Sequence, residues 1–231
     1  MLEISEIDVY YGISQILHRA SLHVDDGELV CILGRNGVGK TTLLRSIIGL
    51  SPPRTGRVLF DGQLLSGLPA HRIARLGVTY APQDNQLFPD LSVAENLLLA
   101  VRRREDSERE IRRAVGFFPV LEEKLRARAS SLSGGQQKFL AVARALIGSP
   151  KMILLDEPSE GIQPSVVQEL AVVIRSIGEA VGCGILLVEQ NRKLALAVAK
   201  RGYILDRGTV VSEGPLQVLE ENGTVARYLS F

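Results

Sequence analysis

Apolar residues recur with a two-residue period through Leu2, Ile4, Ile7 and Val9 and again over residues 21–24, ahead of Asp26-Gly27. That period predicts short, half-buried strands closed by a turn. Residues 29–33 are continuously apolar and end at Gly34, which suits a strand covered on both faces, as in a parallel sheet between helices. Residues 41–50 then carry a helical pattern. Residues 58–60 before Asp61-Gly62 read as a hairpin strand, and 77–81 as another strand ahead of Pro82. From Asp84 the character changes. Ser92 with Glu95 forms a capping box ahead of Leu97, Leu98 and Val101, and a charged stretch, 102–113, follows. The segment at about 84–131 is helical and less apolar than its flanks. Buried strands return at 152–155 and 185–188, each after a helix-forming stretch, and 203–205 with 210–211 make a late hairpin through Asp206-Arg207-Gly208. No repeat, low-complexity run or linker breaks this order. The helical middle therefore reads as an insertion in an α/β core, with 1–231 as a single domain.

Composition narrows the function classes. The chain of 231 residues is 45% apolar and has no Trp, so aliphatic side chains and Ala must fill a sizeable core. A net charge of +1 gives no reason to expect a charge-driven binder of polyanions. Purely apolar stretches, such as 97–101 and 185–188, fall far short of the ~20 residues that span a bilayer. Glu3, Glu6 and Asp8 near the start do not fit a secretory signal, and the expected location is the cytoplasm. Cys31 and Cys183 lie in apolar segments without metal-ligand spacing and are expected as buried thiols. His18, His23 and His71 share no ligand spacing, so no zinc is expected. Arg102, Arg103, Arg104, Arg109, Arg112 and Arg113 are interleaved with Glu105, Asp106, Glu108 and Glu110, the pattern of a solvated helix face laced with ion pairs.

Gly34-Arg35-Asn36-Gly37-Val38-Gly39-Lys40-Thr41, followed by Thr42, fits G-x-x-x-x-G-K-T between a buried strand and a helix start. Glycines there let successive N–H groups point inward, and the helix N-terminus adds positive potential for phosphate oxygens. Lys40 would reach the β and γ phosphates and Thr41 would ligate magnesium. Asp156-Glu157 closes a second buried strand. Alone, such a pair is a loop or a helix cap; beside the phosphate loop, Asp156 suits magnesium and Glu157 suits activation of the attacking water. Ser133-Gly134-Gly135-Gln136 opens a further helix, either as an ordinary cap or as a second anion site.

The ordered set of the loop at 34–41, Gln83, Leu132-Ser133-Gly134-Gly135-Gln136 and Asp156-Glu157 resembles the nucleotide-binding subunits of ATP-binding cassette (ABC) transporters, over essentially the whole chain from Tyr11 to the late hairpin. The resemblance implies a RecA-like P-loop core with an N-terminal antiparallel β subdomain and an inserted helical subdomain, binding ATP and Mg. It implies that Tyr11 stacks on adenine and that Gln83, with Thr41 and Asp156, meets magnesium and attacking water. Glu157 is then the catalytic base. Two subunits would pack head to tail, as a dimer with itself or with a sibling ATPase subunit, so that Ser133, Gly134, Gly135 and Gln136 of one chain bind the ATP of the other. Membrane permease subunits and a solute-binding protein are the implied partners, with no nucleic acid, and the subunit would sit peripherally on the inner face of the cell membrane.

Two positions depart from the family pattern. Gln190 stands where a histidine is usual, in Val188-Glu189-Gln190-Asn191, and Gln163 where an aspartate is usual. An amide can donate a hydrogen bond to phosphate but cannot become cationic, so transition-state charge is expected to be neutralised less well. The same segment, with Glu160-Gly161-Ile162-Gln163-Pro164-Ser165, is similar to the branch serving branched-chain amino acids, urea and short-chain amides, most of all its urea and amide members. Alternatives are a branched-chain amino acid importer, an exporter, which shares every motif, and a soluble ABC ATPase acting on nucleic acid, for which the chain lacks room for a second cassette or coiled coil. Leu87-Phe88-Pro89 suits either a permease-docking surface or packing of the helical segment.

Overall fold

The computed structural model describes residues 1–229. In chain order its elements are β1 (Leu2–Tyr11), β2 (Ser14–Val24), β3 (Leu29–Leu33), α1 (Lys40–Ile47), β4 (Thr55–Phe60), β5 (Gln63–Leu64), α2 (Ala70–Arg75), β6 (Val78–Ala81), α3 (Val93–Leu98), α4 (Ser107–Val115), α5 (Pro119–Glu122), α6 (Gly134–Ala145), β7 (Met152–Asp156), α7 (Pro164–Val181), β8 (Gly184–Glu189), α8 (Arg192–Val198), β9 (Arg201–Asp206), β10 (Thr209–Pro215), α9 (Leu216–Glu221) and α10 (Thr224–Leu229). One sheet, in order β2-β1-β4-β5, is antiparallel; the other runs β10-β9-β3-β8-β7-β6, parallel from β9 to β6 with β10 antiparallel at its edge.

Alternate side chains of the parallel strands divide the core in two. Cys31, Leu33, Ile153, Leu155, Ile185 and Leu187 face a cluster shared with α6, α7 and the helical segment. Their neighbours Val30, Ile32, Leu154, Leu186 and Val188 face α1 and the antiparallel sheet. Strands covered on both faces need to be apolar at every position, which is why 29–33, 152–155 and 185–188 show no alternation.

The antiparallel sheet shows where a simple period fails. Ile4 and Ile7 are three residues apart yet both buried, because the register shifts between them and Glu6 takes a left-handed backbone at φ 48°. The extra residue of this bulge restores the phase. Arg19 on β2 is also left-handed, at φ 45°, and pairs with Glu6. The expected helix over 41–50 ends instead at Ile47: Gly49 turns the chain at φ 75°, and the N–H groups of Leu50 and Ser51 both close on the Arg45 carbonyl.

Ser92 and Glu95 form the reciprocal capping box expected at α3. In the charged stretch Arg109 pairs with Asp106 at 2.8 Å and Arg113 with Glu110 at 3.5 Å, and Arg112 with Glu108 one turn away. Two arginines do more than solvate that face. Arg102 donates to the Ala74 carbonyl and Arg113 to the Leu146 carbonyl, tying the stretch to α2 and to the end of α6. Both cysteines are buried free thiols, and the three histidines are exposed.

A bidentate clamp locks β9 to the turn before β3. Arg201 donates Nε and Nη2 to the two Glu28 oxygens, each at 2.7 Å. These bonds hold the Glu28 carboxyl below its ordinary value of 4.5. A carboxylate depressed in the fold contributes stability that is fully present above that ordinary value and lost as pH falls through the folded one. Glu28→Gln is therefore expected to cost about 1 kcal/mol at neutral pH, the pair being partly exposed. Urea midpoints of variant and parent should converge on acidification; a gap that stays constant with pH would show that the ion pair is not its source.

Candidate functional site

The C-terminal ends of three neighbouring strands, β3, β8 and β7, set the site. Leu33 pairs with Glu189 and Val188 with Asp156 in the parallel register, so Gly34, Glu189 and Asp156 emerge side by side. Ligands of open α/β sheets collect at such ends.

Only glycine fits at the two ends of the loop. A Cβ on Gly34 would lie 2.6 Å from the Leu205 carbonyl oxygen, and Gly39 takes φ 109° with Leu17 2.8 Å from where a Cβ would stand. The late hairpin braces the loop, since Gly208 N–H donates to the Val38 carbonyl at 2.8 Å. Asn36 and Gly37 are exposed at its rim, with Arg35 and Val38 half-buried. Lys40 and Thr42 are buried at the head of α1, and Thr41 is half-buried between them. Lys40, 3% exposed, folds back into the loop, donating to the carbonyls of Gly34 at 2.6 Å and Arg35 at 2.8 Å, and its Nζ lies 3.1 Å from Glu157 Oε1.

Thr41 Oγ1 donates to Asp156 Oδ1 at 3.0 Å, and Tyr80 Oη donates to Asp156 Oδ2 at 2.6 Å. Burial raises the Asp156 carboxyl, with these two hydroxyls opposing the shift, and burial beside Asp156 pushes the Tyr80 phenol up. Glu157, 6% exposed, holds a left-handed backbone at φ 46° just before Pro158, fixed by its N–H to the Val188 carbonyl at 3.0 Å. Strain of this kind persists where surroundings over-determine it.

Gln83 follows β6 and gives its amide to Glu160 Oε2 at 2.6 Å. With Thr41, Arg45, Tyr80, Asp156 and Glu160 it lines a cleft of about 280 Å³. Tyr11, at the end of β1 and 45% exposed, accepts from the Ser51 hydroxyl and lies beside Thr42 and Arg45. Gln190 follows β8, half-buried, its N–H donating to Glu189. Gln163 is exposed at the head of α7.

Ser133 is the cap of α6, in a reciprocal capping box with Gln136 whose side-chain oxygen also accepts from Lys124. Gly134 has open space where a Cβ would project, whereas a Cβ on Gly135 would lie 2.7 Å from Val166 of α7.

The donor set suits magnesium. Thr41 and Asp156 place two hard oxygens together, and among the described residues no cluster of three or more His, Cys, Asp or Glu forms a metal cage. Magnesium needs no such cage, because it takes one or two protein oxygens and completes its shell with water and phosphate oxygens.

Several site groups carried no sequence signal of their own. Tyr80 sits inside an apolar strand, and Glu189, 2% exposed, closes another while accepting from Ser159 N–H, Ser159 Oγ and the N–H groups of Gln190 and Asn191. Lys138, which touches the Gln83 carbonyl, lies on the buried face of α6. Of the three, Tyr80 alone offered a hint, as a polar group within an apolar strand.

A glycine-bounded loop between a parallel strand and a helix, its lysine buried against a carboxylate from the end of another strand of the same sheet, defines a P-loop nucleoside triphosphatase. The ABC transporter family model matches residues 17–160, and the chain belongs to that family as an ABC ATPase. It is 37% identical to the high-affinity branched-chain amino acid transport ATP-binding protein BraG of Pseudomonas aeruginosa, covering 91% of each chain. It is 36% identical to the lipopolysaccharide export system ATP-binding protein LptB of Escherichia coli, covering 93% of this chain and 91% of the other. The ATP-binding cassette MJ0796, in a dimeric post-hydrolysis state bound to ADP and Pi, superimposes with a TM-score of 0.83 at 25% identity over 94% of this chain and 99% of that one. The α/β architecture with its antiparallel sheet and parallel P-loop sheet is that of these cassettes.

Proposed function

We propose that the chain is the ATP-hydrolysing subunit of an ABC importer in the branch for branched-chain amino acids, urea and short-chain amides. The observation that carries the chemistry is the convergence of Lys40 and Thr41, after β3, on Asp156 and Glu157, at the end of β7. In this reading Lys40 and the loop N–H groups from Gly34 to Thr42 hold the phosphates, Tyr11 faces the base, and Thr41, Asp156 and Gln83 hold magnesium, which when bound neutralises charge between the β and γ phosphates. Glu157 takes the proton of the attacking water, with Gln83 and Gln190 beside it. The exposed Ser133-Gly134 end of α6 binds the nucleotide of a second subunit, identical or sibling; the dimeric state of the cassette above supports the pairing of two subunits.

The helical lobe at about 84–131 meets the permease. A cleft of about 410 Å³ lined by Ile48, Ile73, Tyr80, Leu99, Arg102 and Ile147 supports this, and Phe88 nearby in the chain is 52% exposed. Among the described residues no helix is long and apolar enough to cross a membrane; in this reading the permease holds the subunit peripherally on the inner face. A solute-binding protein completes the importer. BraG supports a branched-chain amino acid as the solute, while the segment Glu160-Gly161-Ile162-Gln163-Pro164-Ser165 supports urea or a short-chain amide. The likeness to LptB favours an exporter as the second reading.

Uptake of labelled urea and labelled leucine in the source cells, with the native chain and with Lys40→Ala, separates these readings. Loss of urea uptake alone supports the amide branch, and loss of leucine uptake alone the amino acid branch. If neither changes, the importer reading fails and export is tested next.

A further inference from the structure

Two cations of α6 end on the backbone of the turn that carries Gln83. Lys138, 7% exposed, points its Nζ at the Gln83 carbonyl oxygen, 2.5 Å away. Arg144 donates Nη1 to the Gln86 carbonyl at 2.7 Å and Nη2 to the Asn85 carbonyl at 2.9 Å. The turn depends on such partners. Asn85 and Gln86 both hold left-handed backbone, φ 59° and 43°, which residues other than glycine keep only where neighbours fix it. The remaining carbonyl, of Asp84, accepts from the Gln86 N–H at 2.7 Å.

On its other side Gln83 gives its amide to Glu160, so this residue is held at both ends. Burial depresses the Lys138 ammonium, while Glu160, Glu189, Asp156 and Asp84 favour its charged form. Filling space gives little reason for an ammonium there; what it adds is the bond to the Gln83 carbonyl. An apolar side chain of similar length would occupy the same face of α6 without losing hydration.

We infer that Lys138 is a positioning residue for ATP hydrolysis: by fixing the Gln83 carbonyl it sets where the Gln83 amide stands beside Thr41 and Asp156. Its second effect is mechanical. Lys138 lies about one and a half helical turns from the Ser133 cap, so a shift of α6 when that end engages a second nucleotide is passed to Gln83 of the same chain. The inference rests on the reading of Gln83 as a group at the attacking water.

The test compares steady-state ATPase kinetics of the purified chain with Lys138→Met, Lys138→Arg and Gln83→Ala, together with ATP binding by calorimetry and thermal melting. Lys138→Met is expected to lower kcat by about 10- to 100-fold, as for a misplaced catalytic group, with KM and ATP affinity within about twofold. Lys138→Arg should restore most of the loss. Turnover of Lys138→Met close to that of the parent overturns the inference. So does a loss shared by kcat, ATP binding and melting temperature that Lys138→Arg does not restore, which marks a structural lysine. A fall in Gln83→Ala with none in Lys138→Met removes the lysine alone, whereas unchanged turnover in Gln83→Ala removes the Gln83 reading beneath it. Should Lys138→Met fail to fold, Lys138→Gln, polar but one atom too short to reach the carbonyl, is read in its place.

Discussion

Glu157→Gln is expected to bind ATP as the parent does and to hydrolyse it more slowly by about 10²- to 10⁴-fold, the range for loss of a general base. The geometry explains why binding should survive. Glu157 Oε1 lies 3.1 Å from Lys40 Nζ, and an amide oxygen can still accept from that ammonium. Lys40 also keeps the Gly34 and Arg35 carbonyls, so the loop retains its shape. What an amide cannot do is take the proton of a water. With the nucleotide held and not consumed, the dimer that ATP joins should accumulate, visible by size-exclusion chromatography with ATP and magnesium. Single-turnover release of phosphate at the parental rate would remove Glu157 from the role, leaving another carboxylate at this strand end to be tested.

The parallel sheet was legible because its physics is simple: strands covered on both faces must be apolar throughout, and β3, β7 and β8 stand where 29–33, 152–155 and 185–188 place them. The late hairpin and the capping box at Ser92 were legible from turn and cap chemistry. The first half of β2 was not. Its burial loses phase at Arg19, so residues 14–20 carry no two-residue period. The end of α1 was misplaced for a similar reason, since nothing apolar marks Gly49 as a stop until its backbone is seen at φ 75°. At the site, motif spacing located Lys40, Thr41, Asp156 and Glu157, but the contacts that orient them come from residues far away in sequence. Tyr80 reaches Asp156 across the β6–β7 pair, and Lys138 reaches Gln83 from another helix. Such pairs are set by tertiary packing, which no local period records.

Lys40→Met separates two jobs that one ammonium performs. The first is phosphate binding. A charged hydrogen bond is worth about 1.5–3 kcal/mol, so ATP affinity is expected to fall by about 10- to 100-fold. The second is neutralising Glu157. Both side chains are almost fully buried, at 2% and 8% exposure, and removing one partner of a buried pair costs about 3 kcal/mol because the other charge is left behind. Lys40→Met should therefore melt below the parent, while Lys40→Met with Glu157→Gln should recover much of that stability, having no unpaired charge to bury. The double variant should still bind ATP poorly. Calorimetric titration and thermal melts of the four proteins in this cycle give both answers: equal melting of the single and double variants would show that the pair is uncoupled. ATP binding by Lys40→Met at the parental affinity would place the phosphates elsewhere than on this loop.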